Sequence, residues 1–221
     1  MLERICYPDR ETWLAGRMNS IGGSEAAAVV GKSTFMSNVE LWRMKTGIEK
    51  PKDLSQNGHV QYGNRLEGPL RNLFAAEHPE MNVEHHAFDV LYQTERPWLT
   101  ATLDGELTEE IKNSDGWQIL KGVLEIKTAD VSMAVQYAKW RNAVPMQYYC
   151  QCIHQLLATR YDFVCLYAQL RQANGDSQIR CYRFNRNDGK VLADMDWLLS
   201  KEDPFWNVNV IGNKRPNMIL A

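Results

Sequence analysis

The chain has 221 residues, 44 % of them hydrophobic, and a formal net charge of −2. This suits one large domain with a real core across residues 1–221, and it excludes a histone-like or tail-type nucleic-acid binder, although basic residues can still cluster on one face. No run of about 18 apolar residues is present and the N-terminal MLERICYPDR lacks the apolar core of a signal peptide, so the expectation is a cytoplasmic chain without a membrane span.

In chain order, Trp13-Leu-Ala-Gly-Arg17 leads into Ile21-Gly-Gly-Ser-Glu-Ala-Ala-Ala-Val-Val30, whose second half reads as an alanine-built helix opened by Gly-Gly-Ser. A helix start offers free N–H groups and a partial positive charge, and with Arg17 and Ser24 beside it this one suits a phosphate; a plain N-cap explains the same residues. Gly31-Lys32-Ser33 resembles the end of a phosphate-binding loop, but the glycine that motif requires at position 26 is Ala26, so nucleotide binding is discounted. Asn38 to Thr46 is an amphipathic helix capped by Gly47. A charged connector follows, and Val60 to His78 reads as a long helix with Tyr62, Leu66, Leu70, Leu73 and Phe74 on its buried side. Pro69 conflicts with that helix. Glu67, next to the apolar line, is either a solvated charge paired with Arg71 at i+4 or a carboxylate leaning toward a site.

Val83 to Leu91, which includes His85 and His86, is strand-like and is expected to pair with Trp98–Leu103. Trp98 to Thr128 then carries the densest chemistry. Trp98–Leu103 reads as a strand closed by Asp104; Thr108 to Gly116 reads as a polar hairpin loop; Trp117–Leu120 and Gly122–Lys127 alternate as a strand. Glu125 and Lys127 point to one face, Leu124 and Ile126 to the other. Adjacent antiparallel strands bring Asp104, Glu125 and Lys127 together, which makes a hard, oxygen-rich cation site with an ammonium at its edge. Taken alone, such a triplet is an ordinary salt bridge.

Beyond it, Ala129–Arg141 reads as a short helix and Met146–Thr159 as a second, opened by Pro145. On the second, Tyr148 and Gln151 share a face flanked by Gln147 and Gln155, which suggests a polar lining. Asp162–Leu170 and Gln178–Phe184 form a hairpin around Ala173-Asn-Gly-Asp. Val191–Leu199 is helical, and residues 203–221 are a candidate C-terminal arm. The five cysteines include no C-x-x-C, and the histidines no H-x-x-x-H, so a zinc or iron–sulfur site is not expected.

The ordered set W-L-x-x-R, G-G-S-E-A, Y-G-N-R-L-E-x-x-x-R-x-L-F, T-x-D-G, L-E-I-K-T and Y-x-x-Q resembles the lambda-exonuclease type of phage recombination nuclease, within the PD-(D/E)xK superfamily. The resemblance runs from about Trp13 to Phe184. It implies an α/β fold with a central mixed β-sheet flanked by helices, a restriction-endonuclease-like core, and a single nuclease domain. It further implies that Asp104, Glu125, the Ile126 carbonyl and Glu67 hold Mg²⁺ or Mn²⁺, two ions in all, and that Lys127 stands beside the attacking water. Tyr148 and Gln151 match the catalytic helix, and Arg17 and Ser24 match residues that bind the 5′-phosphate of a DNA end. Leu103 stands where the superfamily motif has proline. The implied activity is 5′→3′ degradation of one strand of linear duplex DNA, leaving 3′ overhangs for recombination. A homotrimeric ring and a single-strand annealing protein are the implied partners. A restriction-type endonuclease of the same superfamily and a non-catalytic DNA-end scaffold are the alternatives.

Overall fold

The structure, a computed structural model, describes residues 1–114, 116–141 and 143–219. Two sheets divide the strands. The first has four, in the order β1 (Leu2–Cys6), β4 (Asp89–Gln93), β5 (Arg96–Ala101) and β2 (Ile21–Gly22). The second has five, in the order β3 (Met81–Glu84), β6 (Gly105–Asn113), β7 (Gly116–Asp130), β8 (Phe163–Arg171) and β9 (Ser177–Asn185). Both are mixed: β2 runs parallel to β5, and β7 runs parallel to β8. The sequence predicts one central sheet; the second arises because the chain leaves β5 at Ala101 and starts β6 only at Gly105.

Helices cover the sheets. α1 (Arg10–Gly16), α2 (Gly23–Val29) and α3 (Asn38–Lys45) precede the long α4 (Gly58–Glu77), which runs through Pro69. α5 (Ala134–Ala138), α6 (Met146–Thr159) and α7 (Gly189–Pro204) follow β7 and β9. The alternation in β7 divides the core. Leu124 and Ile126 pack with Leu70 and Phe74 of α4, whereas Val123 joins the α2, α6 and α7 cluster on the other side. Glu125, between Leu124 and Ile126 in a period-two strand, therefore faces α6.

Several expectations need correction. Thr108–Asn113 is strand, not loop: it pairs with β7 and runs past the end of β3, where half-exposed positions tolerate polar residues, and the turn is confined to the residues before Gly116, with Asp115 outside the described set. Asp104 lies in the bend just before β6 rather than closing β5. The strand expected over Val83–Leu91 breaks into β3 and β4, with His85 and His86 in neither, at a bend where Phe88 has φ 61°. Only the β4 half pairs with β5, and β3 pairs with β6. Leu73 of α4 is exposed. The helix expected from Ala129 starts at Ala134, because β7 continues to Asp130. Residues 203–219 do not project freely: α7 passes into a π-helix over Phe205–Ile211, Trp206 stacks on Trp98, and the Trp42 indole N–H donates to the Asn209 carbonyl at 2.9 Å. Leu220 and Ala221 lie outside the described residues.

Candidate active site

The site forms where the β6–β7 hairpin meets α4 and α6. Gly105 pairs with Leu124, which sets Asp104 level with Glu125, and the Ile126 N–H donates to Asp104 Oδ2 at 2.7 Å. That bond fixes one Asp104 oxygen against the strand that carries Glu125 and Lys127. The sequence-predicted trio is thus brought together.

Glu125 is 1 % exposed, and its carboxylate accepts from three side chains. The Lys127 ammonium donates to Oε1, the Gln151 amide donates to the same oxygen at 2.7 Å, and the Gln155 amide donates to Oε2 at 2.5 Å. Gln155 is the functional neighbour that sequence reading leaves on a flanking face. Its signal was its i+4 spacing from Gln151, since one α-helical turn stacks the two amides. Gln155 Oε1 is buried with no hydrogen-bond partner among the described residues. Gln147, by contrast, turns away and accepts from the Thr34 hydroxyl at 2.7 Å.

Glu67 makes the i+4 pair with Arg71, and that pair borders the site. Arg71 Nη2 donates to Glu67 Oε1 at 2.6 Å while Arg71 Nε donates to the Asp104 carbonyl at 2.5 Å, so the i+4 pair is itself anchored to the site. Tyr148 borders Lys127, whose ammonium stands 5.7 Å from the ring centroid, and Trp140 packs behind Tyr148.

Electrostatics bind these groups into one unit. Burial, reinforced by the Glu67 charge, pushes Asp104 up to about 6. Burial and then Asp104 push Glu125 up to about 7. Burial also raises Glu67, with Glu125 adding to the effect against Arg71. Burial would lower Lys127, but Glu125 and Asp104 outweigh it and hold the ammonium above its ordinary range. In the metal-free site the Lys127 ammonium is thus paired with the carboxylates beside it. Among the described residues, no three His, Cys, Asp or Glu side chains stand together at metal-binding spacing. The donor set nevertheless fits a hard divalent cation: three carboxylates raise one another's affinity for protons, and a cation relieves the same repulsion.

At the other predicted site, Arg17 Nη2 donates to Ser24 Oγ at 2.9 Å, and the Arg17 guanidinium lies 5.0 Å from the Trp13 ring centroid. Ser24 is not the cap of α2; Gly22 is, and the Glu25 carboxylate accepts from the Gly22 N–H at 2.9 Å. With that carboxylate at its start and only seven residues in α2, the anion-binding argument moves from the helix end to the Arg17 side chain. Gly23 lies against α6: a Cβ there would sit 3.2 Å from Gln151 Cγ and 3.3 Å from Gln155 Cγ. The Arg17–Ser24 corner and the Glu125 cluster thus share α6 as a common wall.

No helix among the described residues is long and apolar enough to cross a membrane. Residues 12–162 match the YqaJ-like viral recombinase domain. The YqaJ protein of Bacillus subtilis (strain 168) is 26 % identical over 208 residues, covering 94 % of this chain and 58 % of that protein. The chain therefore spans 58 % of the length of that curated relative. Among solved structures, an alkaline exonuclease from Laribacter hongkongensis superposes with a TM-score of 0.63 at 18 % identity, over 93 % of this chain and 97 % of that one. The same exonuclease in complex with dAMP superposes with a TM-score of 0.62 at 18 % identity and the same coverage. At that identity the likeness shows that the two chains share a fold. With the match spanning residues 12–162, the chain belongs to the YqaJ-like viral recombinase family.

Proposed function

We propose that the chain is a metal-dependent 5′→3′ exonuclease acting on linear double-stranded DNA and leaving 3′ single-stranded overhangs for phage-type recombination. The observation that supports it most is the buried convergence of Asp104, Glu125 and Lys127 with Gln151 and Gln155, a geometry a surface salt bridge has no reason to adopt. Mg²⁺ or Mn²⁺, two ions in the full site, would be held by Asp104, Glu125, the Ile126 carbonyl and Glu67, and would supply charge neutralisation at the phosphoryl oxygens and an acidified water.

The side chains supply the remainder. Lys127, protonated beside Glu125, donates to the attacking oxygen and offsets negative charge developing on the phosphoryl group. Gln151 and Gln155 hold the Glu125 carboxylate in one orientation, and Tyr148 closes the Lys127 side of the site. Arg71 keeps Glu67 turned toward the cluster. Arg17, with Ser24, grips a terminal 5′-phosphate, for which a planar guanidinium offers bidentate geometry. This grip beside the cluster supports the 5′ polarity. The resemblance to lambda-type nucleases supports a homotrimer around DNA and a single-strand annealing protein as partner; such encirclement suits a chain with a net charge of −2.

The test is a time course on linear duplex and on covalently closed circular duplex, with Mg²⁺ or EDTA. Linear DNA should be shortened from its 5′ ends only with Mg²⁺, and the closed circle should stay intact. Cutting of the closed circle would replace the exonuclease with an endonuclease. No cleavage of either DNA at any divalent cation would leave the DNA-end scaffold.

A further inference from the structure

Lys45 ends α3 with its side chain fully buried, an unusual place for a lysine. Its ammonium lies 2.8 Å from Glu25 Oε2 and donates to the Arg17 carbonyl at 2.7 Å. The Ser20 N–H reaches the same carbonyl at 3.4 Å. Glu25 in turn accepts from the Gly22 N–H, and a Cβ on Gly22 would meet Arg17 Nη2 at 3.6 Å. One buried cation therefore touches both ends of the turn that carries the Arg17–Ser24 corner: the Arg17 backbone directly, and the start of α2 through Glu25.

We propose that Lys45 is a positioning residue for the DNA-end pocket, its ammonium fixing the Arg17 backbone so that the guanidinium meets a 5′-phosphate beside Gln151. The inference rests on the reading of Arg17 and Ser24 as the 5′-phosphate grip. The energetic reasoning is direct. Arg17 carries its guanidinium at the end of a long flexible chain, so the Trp13 ring and the Ser24 hydroxyl can orient it only if the backbone beneath it is held. The Arg17 N–H is tied back to the Ala15 and Trp13 carbonyls at the end of α1, and its carbonyl is held by the short bond from Lys45. Burying an ammonium to make it is costly unless the bond and the Glu25 charge compensate.

The test compares initial rates on 5′-phosphorylated and 5′-hydroxyl linear duplex for the wild type, Arg17→Ala, Lys45→Arg, Lys45→Met and the double variant Lys45→Met/Glu25→Gln. Lys45→Met alone strands the buried Glu25 charge and threatens folding; the double variant removes both charges and keeps an acceptor for the Gly22 N–H. In the double variant the preference for the phosphorylated end should fall by on the order of 10- to 100-fold, as expected when a gripping group is misplaced by about 1 Å. The fall should come from a higher KM on the phosphorylated substrate, with the hydroxyl-ended rate close to wild type and Lys45→Arg restoring part of the preference. A folded double variant with the wild-type preference overturns the inference, as does an equal fall on both substrates, which marks Lys45 as merely structural. If the wild type shows no preference and Arg17→Ala changes nothing, the phosphate-grip reading itself fails and takes the inference with it.

Discussion

His154 and Glu202 form an ion pair in which both side chains are 0 % exposed, and the pair locks the site helix in place. His154 Nδ1 lies 2.8 Å from Glu202 Oε1 on α7, and Nε2 lies 2.9 Å from the Thr100 carbonyl beside β2. Both ring nitrogens face acceptors, so the arrangement calls for a doubly protonated imidazolium. Burial would lower His154, but Glu202, the Thr100 carbonyl and the more distant Glu25 outweigh it, and the folded pKa is raised. A raised histidine stabilises the fold fully below its unfolded value near 6.5, and that stability is lost as pH rises through the folded value. Removing one partner of a buried pair costs about 3–5 kcal/mol. Glu202 Oε2 is buried without a hydrogen-bond partner among the described residues, which offsets part of the gain and sets Glu202→Leu at the lower end. About 3 kcal/mol corresponds to a melting temperature lower by about 6–12 °C in a chain of this size. Glu202→Gln should lose less, because its amide can donate to a neutral Nδ1 while Nε2–H keeps the Thr100 bond. Denaturant melts of wild type and Glu202→Gln from about pH 5.5 to about pH 9 isolate the pair, since titrations common to both proteins cancel. The stability difference should be greatest below about pH 6.5 and shrink as pH rises. A difference that is flat, or that grows toward high pH, would refute the imidazolium assignment.

Lys127→Ala should slow cleavage by on the order of 10²-fold or more while DNA binding largely survives; normal single-turnover chemistry with lost binding would reduce Lys127 to a phosphate contact. Gln155→Leu strips Glu125 Oε2 of its bond inside the core and should lower kcat with little change in KM, at a stability cost of about 1–3 kcal/mol, read by steady-state kinetics and urea melts; unchanged kcat would remove Gln155 from the site. Because a ligand carboxylate must lose its proton, Mg²⁺ affinity measured by calorimetry on the DNA-free protein should rise with pH as Asp104, near 6, and Glu125, near 7, ionise. Pairing Asp104→Asn with the wild type checks the cause: an equally steep pH dependence in both proteins would exclude Asp104 as a ligand.

The features legible in the sequence are those set by near neighbours. Period-two alternation put Glu125 and Lys127 on one face of β7, and a hairpin brings its two arms together, so the Asp104 cluster followed without further information. The start of α6 was legible because Pro145 favours a helix opening, whereas its stop, a left-handed Arg160 with φ 59°, appears only in the structure. The β8–β9 hairpin followed from its turn residues in the same way.

What only the tertiary structure decided are contacts between segments far apart in the chain, where charge and burial select partners that local pattern cannot name. Gln155 meets Glu125 from thirty residues away. Lys45 lies in what reads as an ordinary amphipathic helix, yet Glu25 and the Arg17 carbonyl draw its ammonium into the interior. The Lys127 ammonium donates to Glu125, and the buried Glu125 and Asp104 carboxylates outweigh its burial and raise its pKa. The stretch after Asp203 has no periodicity of its own because its partners, Trp98, Trp42 and Asn38, are supplied by earlier elements: the sequence of that segment carries the apolar rings, and the surface that receives them exists only once the rest has folded.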